Sequence, residues 1–199
     1  MLFRSFKPSS LTTIKSDLAL SNYDRNLFSE KDKKDNQGLA GKLLIKQSSK
    51  SFNLLNAKHV FSVFAGYEWV QLQFKPVERL RDVEFLRDWG LSFNSSQVEE
   101  EISSGGLTLS GKASNFIAYQ IQHYKRGDNY SGLRQTVSQQ GKFKQWQTNA
   151  NVSLAEINDV FSKGKFFRPT IDIKKDFKKM KKPDKNWQSF MQLSSNGSS

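Results

Sequence analysis

The chain has 199 residues, 36% hydrophobic and 13% aromatic, with a formal net charge of +12 and no cysteine. That length supports one medium-sized domain with a core, the aromatic share is too high for a disordered chain, and disulfides, thiolate metal sites and a cysteine nucleophile are excluded. No stretch approaches the roughly 20 apolar residues of a transmembrane helix, and the charge points to anionic partners.

Period-two alternation recurs along the chain, with turn signals between the runs, and predicts β-strands. In the first run Ile14, Leu18 and Leu20 share a face, opposed by Thr13, Lys15, Asp17 and Ala19. Ser29 to Gly38 is a polar loop. Leu39, Gly41, Leu43 and Ile45 form the next face, another run covers roughly Phe52 to Phe64, and Tyr67, Trp69, Gln71 and Gln73 then oppose Glu68, Val70, Leu72 and Phe74. Pro76 to Trp89 is read as a strand with Arg79, Arg81, Val83, Phe85, Arg87 and Trp89 on one face. A helix with Val77, Leu80 and Val83 at a spacing of three is the competing reading.

Ser104-Gly-Gly106 and Gly111-Lys112 read as turns. Ile117, Tyr119 and Ile121 alternate with Ala118, Gln120 and Gln122. Arg126 to Tyr130 is a turn into a run with Leu133, Gln135 and Val137, and Gln140-Gly141 reads as the next turn. Trp146, Thr148, Ala150, Val152 and Leu154 then share a face that is expected to pack inward, leaving Gln145, Gln147, Asn149 and Asn151 wet. Phe167, Pro169, Ile171 and Ile173 close the series, and Pro169 suits an edge strand. From Ile173 to Lys182 a helix with Ile173, Phe177 and Met180 on one side is also open. The expected fold is therefore all-β: an antiparallel meander over residues 1–193, as an extended sheet or a partial or closed barrel, with 194–199 as a flexible tail.

Three passages, Ser21 to Ser29, Asp35-Asn-Gln-Gly38 and Phe85-Leu-Arg-Asp-Trp-Gly90, resemble strand-and-loop passages of large outer-membrane or cell-surface β-proteins of Gram-negative bacteria. The resemblance implies a sheet or barrel segment of a longer polypeptide, placed at the outer membrane, cell surface or periplasm, with the rest of that polypeptide or other envelope components as partners. The start of the chain has no apolar signal-peptide core, which fits an internal piece of an exported chain or a cytoplasmic protein. Only the run from Trp146 to Leu154 approaches the alternating band of about nine to eleven residues that lipid contact requires.

Candidate chemistry is sparse, and the chain is read as non-enzymatic, without catalytic, cofactor-binding or metal residues. His59 and His123 have no recognisable partners, there is no nucleophile elbow, and no histidine pair has zinc spacing. Glu99-Glu-Glu101 reads as a solvated turn flank, and the Asp32 to Gly38 loop as a turn that departs from calcium-loop spacing. Arg79, Arg81 and Arg87 are candidate anion contacts, with cross-strand pairing to acidic neighbours the plainer reading. Lys163 to Lys185 holds ten basic and three acidic residues. There Lys174, Lys175, Lys178 and Lys179 are candidate phosphate contacts, with Trp187 as an aromatic contact, for a nucleic-acid-binding alternative. Tyr67, Trp69 and Trp89 carry a third reading, a carbohydrate-binding or carbohydrate-active module.

Overall fold

Alternating β-branched and aromatic residues at these spacings form one antiparallel sheet. The computed structural model describes residues 2–23, 36–54, 57–91, 97–112, 115–160 and 163–175. Its strands are β1 (Leu2–Ser9), β2 (Thr12–Asn22), β3 (Gln37–Ser48), β4 (Phe52–Leu54), β5 (Ala57–Val70), β6 (Glu100–Ser110), β7 (Phe116–Arg126), β8 (Tyr130–Phe143), β9 (Trp146–Asp159) and β10 (Lys163–Lys175), and the single helix among the described residues is α1 (Val83–Asp88). The spatial order is β1-β2-β3-β5-β6-β7-β8-β9-β10, and β4 pairs only with β5. The sheet is open: β1 and β10 are its two edges, and it does not close into a barrel. Pro169 lies on edge strand β10, where its missing N–H is tolerated.

Pairing runs without interruption from β2 through β10, apart from the side hairpin at β4, so facing residues form rows across the sheet. One row reads Ala19, Ala40, Val70, Glu100, Arg126, Tyr130, Asp159. The described residues between β5 and β6 (71–91 and 97–99), here called the plug, lie over the face that carries this row, here called the covered face. The plug packs there through two clusters. Phe74 joins Ala40 and Val70, with Ala19 beside them. Trp89, which is 0% exposed, joins Ile102, Tyr124, Tyr130 and Ile157, with Phe85 and Leu91 against them. Trp89 reaches the sheet because β8 has no side chain at Gly132, where a Cβ would lie 2.6 Å from the indole ring. The Tyr130 hydroxyl donates to the Trp89 carbonyl and ties the plug to β8.

Several sequence-based expectations change. Pro76 to Trp89 is not a strand: residues 76–82 are irregular and Val83–Asp88 is helical. Asp82 caps α1 by accepting from the Phe85 N–H at 2.6 Å. Phe85 and Trp89, four residues apart, then face the sheet together, and Gly90 ends the turn at φ 63°. Gly105 and Gly106 lie inside β6 rather than in a turn, because the Phe64 ring lies over Gly106 and would meet a Cβ at 2.4 Å. Gly141 lies inside β8. The turn is the two-residue loop Lys144-Gln145, whose first residue takes the left-handed φ of 53°. On β9 the buried residues are Ala155 and Ile157, on the face opposite Val152 and Leu154, so the even-numbered apolar side is not the packed one. The Arg126–Tyr130 turn is as expected, with Gly127 at φ 56° donating to the Glu99 carbonyl. The Asp32 to Gly38 loop lies largely outside the described residues.

Trp89 holds the plug to the sheet, so Trp89→Ala should cost about 3–5 kcal/mol. Equilibrium urea unfolding checks this. A loss below about 1 kcal/mol would mean that the plug is not packed on β7–β9.

Candidate functional site

The covered face collects charge beneath the plug. Arg81, from the irregular stretch before α1, reaches Glu68 on β5 and donates from Nε to Glu100 on β6 at 2.9 Å. Glu68 also meets Lys42 at 3.4 Å, and Glu100 meets Arg126 at 3.5 Å. Burial alone would lower the Arg81 pKa. The Glu68 and Glu100 carboxylates outweigh it and hold the guanidinium above its ordinary value. Asp88, at the end of α1, pairs with Arg134 of β8 at 2.9 Å and with Arg168 of β10. Arg134 also lies 5.1 Å from the Trp89 ring centroid. These pairs fix the plug across six strands. Among the described residues no group of three or more histidines and carboxylates is placed to hold a metal ion.

The opposite face carries an apolar band, and no element among the described residues covers it. It carries Leu18 and Leu20 of β2, Leu39, Leu43 and Ile45 of β3, Phe61 to Trp69 at alternate positions of β5, Leu107 and Leu109 of β6, Ile117 and Ile121 of β7, Val137 of β8, Val152 and Leu154 of β9, and Phe167 to Ile173 of β10. Many are widely exposed: Leu20 by 64%, Phe167 by 65% and Ile171 by 69%. These eight strand positions at about 4.8 Å make this surface roughly 34 Å wide. Monomeric soluble proteins rarely expose an apolar patch of more than a few hundred Å².

The band crosses the sheet diagonally. One row begins apolar and ends charged: Leu18, Gly41, Trp69, Glu101, Lys125, Ser131, Asn158, Lys163. A row further along does the reverse: Thr12, Gln47, Val63, Leu107, Tyr119, Val137, Val152, Pro169. Between them, the row of Ile45, the last apolar residue of that face on β3, meets β10 at Phe167, the first one there. Polar groups within the band satisfy one another: the Tyr119 hydroxyl lies 2.9 Å from Gln135 Oε1, and Gln139 donates to Thr148 at 3.1 Å.

The sequence-predicted residues are dispersed over this architecture. Arg79 is exposed on the irregular stretch before α1, and Arg81 is held between two carboxylates. Arg87 pairs with Glu84 on the solvent side of α1, 64% exposed. Arg81 and Arg87 thus pair with acidic neighbours, between plug and sheet and along α1 rather than across strands, and Arg79 has no ion pair among the described residues. Glu100 belongs to the ion cluster rather than to a solvated flank, with its side chain 12% exposed. Tyr67 and Trp69 stack at 5.9 Å at one margin of the apolar face, whereas Trp89 is enclosed on the other face. Lys174 points to the covered face and pairs with Asp172 at 3.1 Å. Lys175 is on the apolar face, 5.1 Å from the Trp146 ring. Lys178, Lys179 and Trp187 lie outside the described residues. Sequence reasoning missed Glu68, Arg126 and Arg134, whose only signal is a row position set by pairing between distant segments.

No protein-family model, curated protein or solved structure matches the chain. Among the described residues no helix is long and apolar enough to cross a membrane, which leaves strands unaddressed.

Glu68→Gln removes one of the two carboxylates facing Arg81 and should destabilise by about 1–3 kcal/mol. Glu84→Gln, in the exposed pair, should change stability by at most about 1 kcal/mol. Urea midpoints in the reverse order would displace the buried cluster as the anchor of the plug.

Proposed function

We propose that this sheet is a structural wall segment of a membrane-spanning β-barrel in a bacterial cell envelope. The apolar face meets lipid, and the covered face, with its plug, faces the interior. The observation that carries this reading is the diagonal apolar band. Barrel strands tilt by about 35–45° from the barrel axis. A belt that is level in the membrane must therefore move along the strands from one strand to the next, as the band from Leu18 to Ile173 does. A soluble sheet packed against a second layer has no such requirement.

Other features support it. Strands β2, β3 and β5–β10 have 11–14 residues, enough for the roughly 9–11 that cross a bilayer when tilted. Tyr67 and Trp69 stand at one margin of the belt, and Phe143 and Trp146 at the other, the positions of aromatic girdles. The interior face is polar beyond its two packed clusters, with Gln120, Thr136, Ser138, Asn151 and Ser153 in adjacent rows. Read one strand at a time, only Trp146–Leu154 qualified for lipid contact. Pairing assembles the shorter runs into the same belt. The nine strand positions alternate in direction, so β1 and β10 run the same way, and fully antiparallel closure takes an odd number of further strands. The nucleic-acid alternative gains no comparable support, because Lys174 and Lys175 are divided between the two faces and Lys174 pairs with Asp172.

The chain has no cysteine, so single cysteines placed from Asn149 to Leu154 can carry an environment-sensitive fluorophore in liposomes. Labels at Ala150, Val152 and Leu154 should be quenched by lipids with brominated acyl chains. Labels at Asn149, Asn151 and Ser153 should be quenched by aqueous iodide. Equal iodide access on both faces, or protection of the even positions by self-association without lipid, would refute the reading.

A further inference from the structure

Beneath the plug, a cavity of about 250 Å³ is walled by Arg79, Arg81 and Arg126, with Glu100 as its carboxylate. The rest of its lining includes apolar side chains such as Val70, Phe74 and Leu86. Glu68, outside this lining, holds Arg81 from the other side. Arg79 forms no ion pair among the described residues and also lines the wider opening beside Tyr23 and Pro76. Arg81 donates through Nε and Nη1 to the two carboxylates, but its Nη2 is buried without an acceptor. A buried guanidinium N–H left unpaired has lost its water without gaining an acceptor, which is unfavourable.

We propose that this cavity is a binding site for a small oxyanion, a free phosphate or carboxylate group, held between Arg79 and Arg81. The cavity is smaller than the roughly 300–1,000 Å³ of sites for drug-sized ligands, which suits a single anionic group. An oxyanion there supplies the acceptor that Arg81 Nη2 lacks and balances the charge of Arg79. Guanidinium donors match planar and tetrahedral oxyanions with more than one hydrogen bond. The site lies on the covered face, away from the apolar belt, so its ligand comes from the aqueous side and not from a lipid headgroup. This inference is independent of the barrel reading.

Isothermal titration of inorganic phosphate into the intact chain, at fixed ionic strength in chloride, tests it, with acetate as the carboxylate arm. Saturable binding at one site per chain is expected. Arg79→Gln should weaken it about tenfold or more, the loss of one charge-assisted hydrogen bond, while Arg87→Gln, paired on the far side of α1, should leave it unchanged. Phosphate should also raise the melting midpoint of the parent chain and not that of Arg79→Gln. Absence of saturable binding by either anion overturns the proposal. So does equal weakening by Arg79→Gln and Arg87→Gln, the mark of diffuse attraction to a basic chain. Binding only to vesicles of anionic lipid, without response to phosphate, overturns it as well.

Discussion

Unbroken antiparallel register is the constraint on which this molecule depends. Side chains alternate between faces with period two, so a pairing slip of one residue would move every apolar side chain of a strand to the other face. From β2 to β10 no such slip occurs. Runs of three to five apolar residues, each weak alone, therefore add into one surface. The polar alternates add into the other, where the plug sits.

The two faces are held by different physics. On the covered face, burial of Trp89, Tyr124 and Phe74 removes large apolar areas from water, and the carboxylates around Arg81 and Asp88 fix the plug in orientation. The ion pairs contribute less than the packing, because desolvation offsets much of their attraction. On the apolar face no described residue replaces water, so its stability depends on the medium. In bilayer lipid the same leucines and isoleucines are already solvated, and the mutual hydrogen bonds of Tyr119 with Gln135 and Gln139 with Thr148 spare the polar groups of the belt from desolvation without partners.

Much of the fold was legible in the sequence. The alternation around Leu39–Ile45, Ile117–Ile121 and Trp146–Leu154 names the strands and which residues share a face, because period two is a local property. Three features were not legible, each for a physical reason. The face chosen for the core on β9 was inverted, since the plug packs on Ile157, with Ala155 buried on the same face, and leaves the more apolar alternate face of the sheet exposed. The plug helix was hidden because Arg81, Val83, Phe85, Arg87 and Trp89 alternate as a strand does, while the cap at Asp82 and the i, i+4 pair of Phe85 and Trp89 decide for helix. The ion cluster joins Glu68, Arg81, Glu100 and Arg126, which only the register brings into one place.

Depth measurement in a bilayer tests the central claim most directly. Leu43 on β3 shares its row with Lys165 on β10, six residues from Ile171 (171 minus 165). If strand tilt levels the belt, fluorophores at Leu43 and Ile171 should lie at similar depth among the acyl chains, and one at Lys165 near the headgroups. Quenching by lipids brominated at graded depths reads this out. A label at Leu43 that shares the depth of Lys165 rather than of Ile171, or that meets no acyl chain, would contradict the account.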